Sequence, residues 1–294
     1  MLILFYNALD TYYILQYNVH YIVYLILEGG ENLKIITIGT LKGGTGKTSS
    51  LFNLAGLIAE RHKVLLIDCD PQTNLSLNCG VDITIGSIKT VKNIFDGNTT
   101  AQDVIFKNPI KELPNIDIIP SSIELTATEL QIVSKAGREN ILKNFLLDNQ
   151  KALSEYTYIL IDTNPSMGIV NQNAFLVADS IILVSDVSLN GIQGAELFIT
   201  LWGDARKHLR KENNIKALIL NNFDKRIKLS GELIEYCKDN EGIKDIVLQT
   251  AIPASVQVKN TEIEHRTINC LHKNSPIHDA YKGAMLELQE RGII

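Results

Sequence analysis

Thr40-Leu41-Lys42-Gly43-Gly44-Thr45-Gly46-Lys47-Thr48 decides how the rest of this chain reads, because it separates an apolar run at 35–38 from an amphipathic stretch at 46–61. The first has the length and composition of a buried strand. The second places Leu51, Leu54, Ala55 and Ile58 on one face of a helix. Arg61, His62 and Lys63 fall at its C-terminal end, where the helix dipole favours positive charge. Glycines between a strand and a helix let the backbone curl until successive N–H groups converge, and the helix N-terminus adds its positive end to the same spot. Such a turn cradles phosphate. Lys47 would reach the β- and γ-phosphates and the Thr48 hydroxyl would ligate Mg²⁺, with Gly43, Gly44, Thr45, Gly46 and Ser49 completing the wall. The strict G-x-x-x-x-G-K-[ST] pattern fails at Leu41. Lys42 beside two glycines makes the variant, or deviant, form of the loop.

Outward from the loop, short apolar runs recur at 64–67, 116–119, 158–161, 181–184 and 217–220, each followed by polar or glycine-containing residues. Buried parallel strands read this way. The stretches 192–210 and 230–238 have helical spacing and cover the sheet; Trp202 anchors the first of them to the core. No repeat, low-complexity tract or Pro/Ser-rich linker divides the chain. The expectation is a single α/β domain over 33–294.

Bulk composition narrows the function. The 294 residues carry 28 basic and 33 acidic side chains, a net charge of −5, so nucleic-acid binding has to come from a local patch. Cys69, Cys79, Cys237 and Cys270 form no CxxC and no metal-ligand spacing, which points to buried or idle thiols in a reducing cytosol.

Residues 1–32 look foreign to the remainder. They hold no Lys or Arg, yet contain Tyr6, Tyr12, Tyr13, Tyr17, Tyr21 and Tyr24. The uncharged stretch 11–27 raises a membrane-spanning reading, but Gln16, Asn18 and His20 interrupt it and no basic flank orients it. Glu28-Gly29-Gly30 can be encoded by a purine-rich run like a bacterial ribosome-binding site, and Leu33 by the alternative start codon TTG. Native translation is therefore expected to begin near Leu33, with the apolar leader a gene-prediction extension.

Lys42 to Thr48, the run Leu66-Ile67-Asp68-Cys69-Asp70-Pro71-Gln72 and the element Tyr158-Ile159-Leu160-Ile161-Asp162-Thr163-Asn164-Pro165-Ser166 together resemble the ParA/Soj branch of deviant-Walker ATPases, relatives of MinD and the nitrogenase iron protein. The D-x-D-P-Q run is the most discriminating of the three. The resemblance spans roughly 34 to the C-terminus and implies a P-loop NTPase fold, a twisted, mainly parallel sheet with helices on both faces. It also implies ATP and Mg²⁺ as cofactors. Asp68 and Asp162, ending adjacent strands, would hold Mg²⁺ through its waters together with Thr48. Asp70 would orient the attacking water beside Lys47. Lys42 would cross an ATP-dependent homodimer interface to the partner's phosphates. Asn221 is a candidate adenine contact and Pro253 a further nucleotide contact. One departure is Asn164, which replaces the first proline of the family's D-x-P-P element and is expected to loosen or reshape that loop.

ParA-type proteins bind non-specific DNA on the nucleoid through basic surface residues, and a ParB-like centromere-binding partner stimulates hydrolysis. Asp224-Lys225-Arg226 resembles one DNA element, with Arg226 at a DNA-contacting position and Lys225 beside it. The family's I-P-R-N-V-R segment is Ile252-Pro253-Ala254-Ser255-Val256-Gln257 here, so both arginines are missing; Lys259 and Arg266 lie nearby. The basic run at 206–211 reads first as a dipole-matched helix end. The expectation is a cytoplasmic, nucleoid-associated partition ATPase, slow without its partner. A MinD-like membrane-positioning ATPase is the alternative, but the C-terminal end 284–294 is acidic and makes an unconvincing membrane helix. An iron–sulfur carrier is discounted because Cys69 and Cys79 come too early, and a non-catalytic scaffold stays open because of Asn164.

Overall fold

A computed structural model describes residues 33–83, 88–97, 99–224 and 226–294. The apolar leader and Lys225 lie outside the described residues, and the compact unit runs Lys34–Ile294.

Each apolar run becomes a strand: β1 (Lys34–Gly39), β2 (Val64–Cys69), β4 (Ile116–Ile119), β5 (Tyr158–Thr163), β6 (Ser180–Asp186) and β7 (Ile215–Asn221). With β3 (Phe106–Lys107) they form one seven-stranded sheet in the order β3-β4-β2-β5-β1-β6-β7. All neighbours pair in parallel except β3, which runs antiparallel to β4 at the edge. Parallel pairing forces every connection to cross a face of the sheet, so both faces are covered and the strands are apolar on both sides.

Successive side chains of one strand therefore belong to different layers. On β6, Ile182 and Val184 join Leu51, Leu54 and Ile58 of α1 (Lys47–Ile58) in one core. Ile181 and Leu183 pack with Phe198 and Trp202 in the other. Between β2 and β5 the chain forms the short helices α2 (Asn74–Asn78), α3 (Val91–Asp96) and α4 (Ala101–Val104), then α5 (Leu125–Ile132), α6 (Ile141–Asp148) and α7 (Gln150–Leu153). The second face is built from α8 (Ile169–Val177), α9 (Leu189–His208) and α10 (Lys228–Asp239). Trp202 is fully buried, its indole N–H donates to Asn214 Oδ1 at 2.9 Å, and its ring meets Phe175 edge-on.

The chain closes with α11 (Val256–Ile263), α12 (Ile268–Leu271) and α13 (Pro276–Glu290). Ser275 caps α13 by accepting from His278 N, and Pro276 starts it with a ring that needs no N–H partner. Ile277, Tyr281, Ala284 and Leu288 bury its apolar face in the α1 layer. That face is core, not a membrane anchor. Among the described residues no helix is long and apolar enough to cross a membrane.

Two expectations are corrected. The first helix stops at Ile58, so Arg61, His62 and Lys63 lie beyond its last turn; Lys63 turns to Asp117 at 2.9 Å instead of matching the dipole. The edge strand β3 was not expected, because two exposed residues carry no apolar period. It is fastened by Asp117, a buried acid on β4. Asp117 accepts from Lys107 Nζ at 3.0 Å, Tyr156 Oη at 2.8 Å and Asn108 N at 2.9 Å.

Candidate functional site

The loop between β1 and α1 has the curled form the glycines allow. Gly44 and Gly46 have φ of +77° and +83°. Gly46 is required twice over: its φ is left-handed, and a Cβ there would lie 2.2 Å from Asn221 Nδ2. Asn221, at the end of β7, pushes up under the loop and donates to Thr45 O at 2.7 Å. Its amide thus props the loop from below. Gly46 caps α1, and the first turn of that helix contains no acid. Gly43 through Ser49 line a cleft of about 400 Å³ whose other walls include Asp70, Gln72, Pro165 and Glu262.

Strand register brings the acids together. Asp68 of β2 pairs directly with Asp162 of β5. Asp68 is fully buried; one oxygen accepts from Asp70 N at 3.1 Å, and the other from Ser76 N and Oγ at 2.9 and 2.7 Å. Its carboxylate therefore also organises the turn that carries Asp70. Asp162 accepts from Thr48 Oγ1 at 2.7 Å through one oxygen, while its other oxygen is buried with no hydrogen-bond partner. Burial pushes both carboxyls up; the charge of Asp162 raises Asp68 further, whereas Lys47 pulls Asp162 back. Lys47 is itself lowered by burial, against the attraction of Asp162 and Asp70. A carboxylate oxygen left bare beside a threonine hydroxyl fits a small divalent cation, which would supply the missing partner.

Asp70 is buried at the cleft wall, accepting from Gln72 N at 2.9 Å. Pro253 continues the sheet: it bridges Phe223 just past β7, with Ile252 N donating to Leu220 O at 2.8 Å. Lys42 is not turned toward the cleft of its own chain. Its Nζ donates to both oxygens of Asp186 at 2.9 and 2.8 Å and to Ser188 Oγ at 3.0 Å. Asp186 ends β6 and Ser188 caps α9. A Cβ on Gly191 would meet Asp186 Oδ1 at 2.3 Å, so only glycine leaves room for this arrangement.

The loop after β5 is bonded, not loose. Asn164 Oδ1 accepts from Ser166 Oγ at 2.5 Å and from Asn171 Nδ2 at 2.8 Å, and Asn171 Nδ2 also reaches Ser166 O at 2.9 Å. Glu129 of α5 holds the next turn by accepting from Val170 N at 3.0 Å. Hydrogen bonds thus do the stiffening that a second proline would do, and Pro165 lines the cleft with Gly43, 4.0 Å from where a Cβ on that glycine would stand.

The surface cations are less uniform than their sequence implies. Arg226 is exposed, but its guanidinium is paired side-on with Asp224 at 2.9 and 2.7 Å. Hydrogen bonds from Arg226 hold the Asp224 carboxyl at about 2. Lys259 is exposed on α11, and Arg266 pairs with Glu112 at 2.9 Å. In the run 206–211, Lys207 meets Asp204 at 3.4 Å and Arg206 bonds Lys211 O at 3.2 Å, as at an ordinary helix end. Cys69, Cys79 and Cys237 are buried and free, with burial pushing their thiols up.

Sequence reasoning missed Asp186, Asn171 and Glu262. Asp186 had a signal, since it is an acid ending an apolar run as Asp68 and Asp162 do. Asn171 and Glu262 had none, because each acts through a contact set by the fold.

A mainly parallel sheet with the phosphate loop after the interior strand β1, and two carboxylates at adjoining strand ends, defines a P-loop ATPase of the deviant-Walker class. Known proteins agree. The family described as an AAA domain matches residues 33–219. The chromosome partitioning protein ParA of Caulobacter vibrioides is 30% identical over 227 residues, 77% of this chain and 82% of its own. The sporulation initiation inhibitor protein Soj of Bacillus subtilis is 29% identical over 260 residues, 88% of this chain and 99% of its own. A putative plasmid partition protein from Borrelia burgdorferi B31, solved bound to AMPPNP, superposes with a TM-score of 0.72 at 26% identity, over 88% of this chain and 99% of that one. Apo McdA from Cyanothece shares the fold with a TM-score of 0.76 at 23% identity, over 87% and 99%. The chain belongs to the AAA domain family, in its ParA/Soj branch.

Proposed function

We propose that this protein is an ATP-driven switch for DNA partition, binding DNA non-specifically as an ATP-bound dimer and releasing it on hydrolysis. The observation that carries the reading is the loop Lys42 to Thr48 opening onto Lys47, Asp70 and the half-bonded Asp162 in one cleft. Gly43 to Ser49 bind the phosphates through loop N–H groups and the α1 terminus. Thr48 and Asp162 would hold Mg²⁺, with Asp68 behind them, and the metal would supply charge neutralisation at the phosphate oxygens. Asp70 positions the attacking water. Phosphoryl transfer needs little beyond such positioning and charge neutralisation, so turnover alone is slow and a ParB-like partner completes the site. Asn221 supports the loop from beneath, and an adenine contact from it or from Pro253 remains a proposal drawn from the family resemblance.

Lys42 acts in trans. In the isolated chain it is neutralised by Asp186, and ATP offers the partner's phosphates in exchange. DNA is met by Arg226, Lys225 and Lys259, with phosphate displacing Asp224 from Arg226. The domain spans 33–294 and works in the cytoplasm on the nucleoid. The apolar face of α13 is spent on the core, which takes that helix away from the membrane-positioning alternative.

DNA co-sedimentation with ATP or ADP tests the reading. Binding is expected with ATP and Mg²⁺ only, weakening steeply with salt, and Arg226→Ala is expected to weaken it several-fold and flatten the salt slope by about 1. Equal binding with ADP, or none with either, would count against the switch.

A further inference from the structure

Glu262 places a carboxylate in a cleft whose loop is built for phosphate. It lies in α11 and lines the cleft together with Ser49, from whose hydroxyl its carboxylate accepts a hydrogen bond. Ser49 is the third residue of α1, so an acid is seated against the helix end that would bind phosphate. Among the described residues no lysine, arginine or histidine pairs with Glu262. It is therefore neither half of an ion pair nor a buried structural acid. Thr261 beside it supplies the packing, being fully buried with its hydroxyl on Val258 O.

The order of residues along the cleft says what such a carboxylate meets. Asp70 and Lys47 mark the terminal phosphates, and Thr48 the metal-bound oxygens. Ser49 comes next along the helix, one residue beyond Thr48, where a triphosphate gripped at Lys47 continues toward its sugar. A carboxylate cannot approach phosphate there, but among the described residues its two acceptor oxygens have no hydrogen-bond donor except Ser49. A vicinal diol supplies two donors at matching spacing. We infer that Glu262 recognises the ribose hydroxyls of the nucleotide and makes the site selective for ribonucleotides. The inference rests on the cleft being the nucleotide site. On binding, the carboxylate leaves Ser49 for the sugar, and the Ser49 hydroxyl is released to the phosphate next to it. A site built to accept from a substrate hydroxyl discriminates against the analogue that lacks it, because the acceptor is left unpaired.

Calorimetric binding of ATP, 2′-deoxyATP and 3′-deoxyATP with Mg²⁺ tests this on the full chain. The unaltered protein is expected to bind ATP about tenfold more tightly than either deoxy analogue, about 1.4 kcal/mol. Glu262→Ala should bring the ratio close to one, and Glu262→Gln, which keeps one acceptor, should fall between. Lys47→Ala should weaken all three nucleotides together and leave the ratio alone. The inference is overturned if the unaltered protein does not discriminate, if Glu262→Ala keeps the ratio, or if Glu262→Ala strengthens all three equally, which would make the carboxylate only a placeholder for phosphate. Failure of the unaltered protein to bind any of the three would overturn the nucleotide-site reading as well. Far-ultraviolet circular dichroism of both Glu262 variants checks that α11 is still formed.

Discussion

Lys47→Ala is expected to lower ATP turnover by at least about 10²–10³-fold, the scale on which preorganised charge acts at a reacting centre. Lys47 is 7% exposed and is the cation between Asp162 and Asp70. Its removal takes away the charge aimed at the β- and γ-phosphates. It also leaves Asp68 and Asp162 paired across the strands with only hydrogen bonds from Ser76, Thr48 and the backbone to offset their repulsion. Burial already raises the Asp162 carboxyl, and without Lys47 it rises further, so the metal site is weakened too. Phosphate release and nucleotide binding should both fall, with the melting curve still cooperative. Turnover at an unaltered rate would remove Lys47 from the mechanism.

Asp117→Ala should be the most destabilising single change at the sheet edge, by about 3 kcal/mol, toward the lower end for breaking a buried pair because Lys63 and Lys107 can turn to water. For a domain of this size that corresponds to a loss of about 6–12 °C in melting temperature. Asp117 is fully buried and joins Lys63, Lys107, Tyr156 and the backbone of Asn108. Burial alone pushes its carboxyl up, but the hydrogen bonds from Lys63, Asn108, Tyr156 and Lys107 outweigh it and hold the group below its ordinary value. The folded state therefore binds this proton less readily than the unfolded chain does. The stabilisation is complete above the unfolded value of 3.8 and is lost as pH falls through the depressed folded value. Urea midpoints of the two proteins should differ most near neutral pH and converge in acid. A constant gap between them would mean that packing, not charge, explains the loss.

The parts of the fold legible in sequence were those where one physical signal dominates. A strand buried on both faces is a run of Ile, Leu and Val, so β1, β2, β4, β5, β6 and β7 were visible and their acids could be placed at strand ends. The phosphate loop was legible because only glycine tolerates the conformations at Gly44 and Gly46. The short helices between β2 and β5 were not. Helices as brief as α4 are fixed by tertiary contact and local capping, as at Thr100 with Asp103, rather than by an apolar period. Asn164 shows another limit. Read alone it suggests a looser loop, yet Asn171, seven residues on, binds both its backbone and side-chain oxygens at 2.8 Å. Ser49 and Glu262 are 213 residues apart in sequence, and only the folded domain makes them neighbours.

Lys42 bears most directly on the proposed mechanism. In the single chain it is held by Asp186 and Ser188, away from the phosphates it is proposed to serve in a second copy. Light scattering on the Asp70→Ala variant, which should bind ATP without consuming it, measures whether that exchange happens. With ATP and Mg²⁺ the account predicts the mass of two chains, falling back to one with ADP or when Lys42→Ala is added. A single-chain mass with ATP demonstrably bound would contradict it.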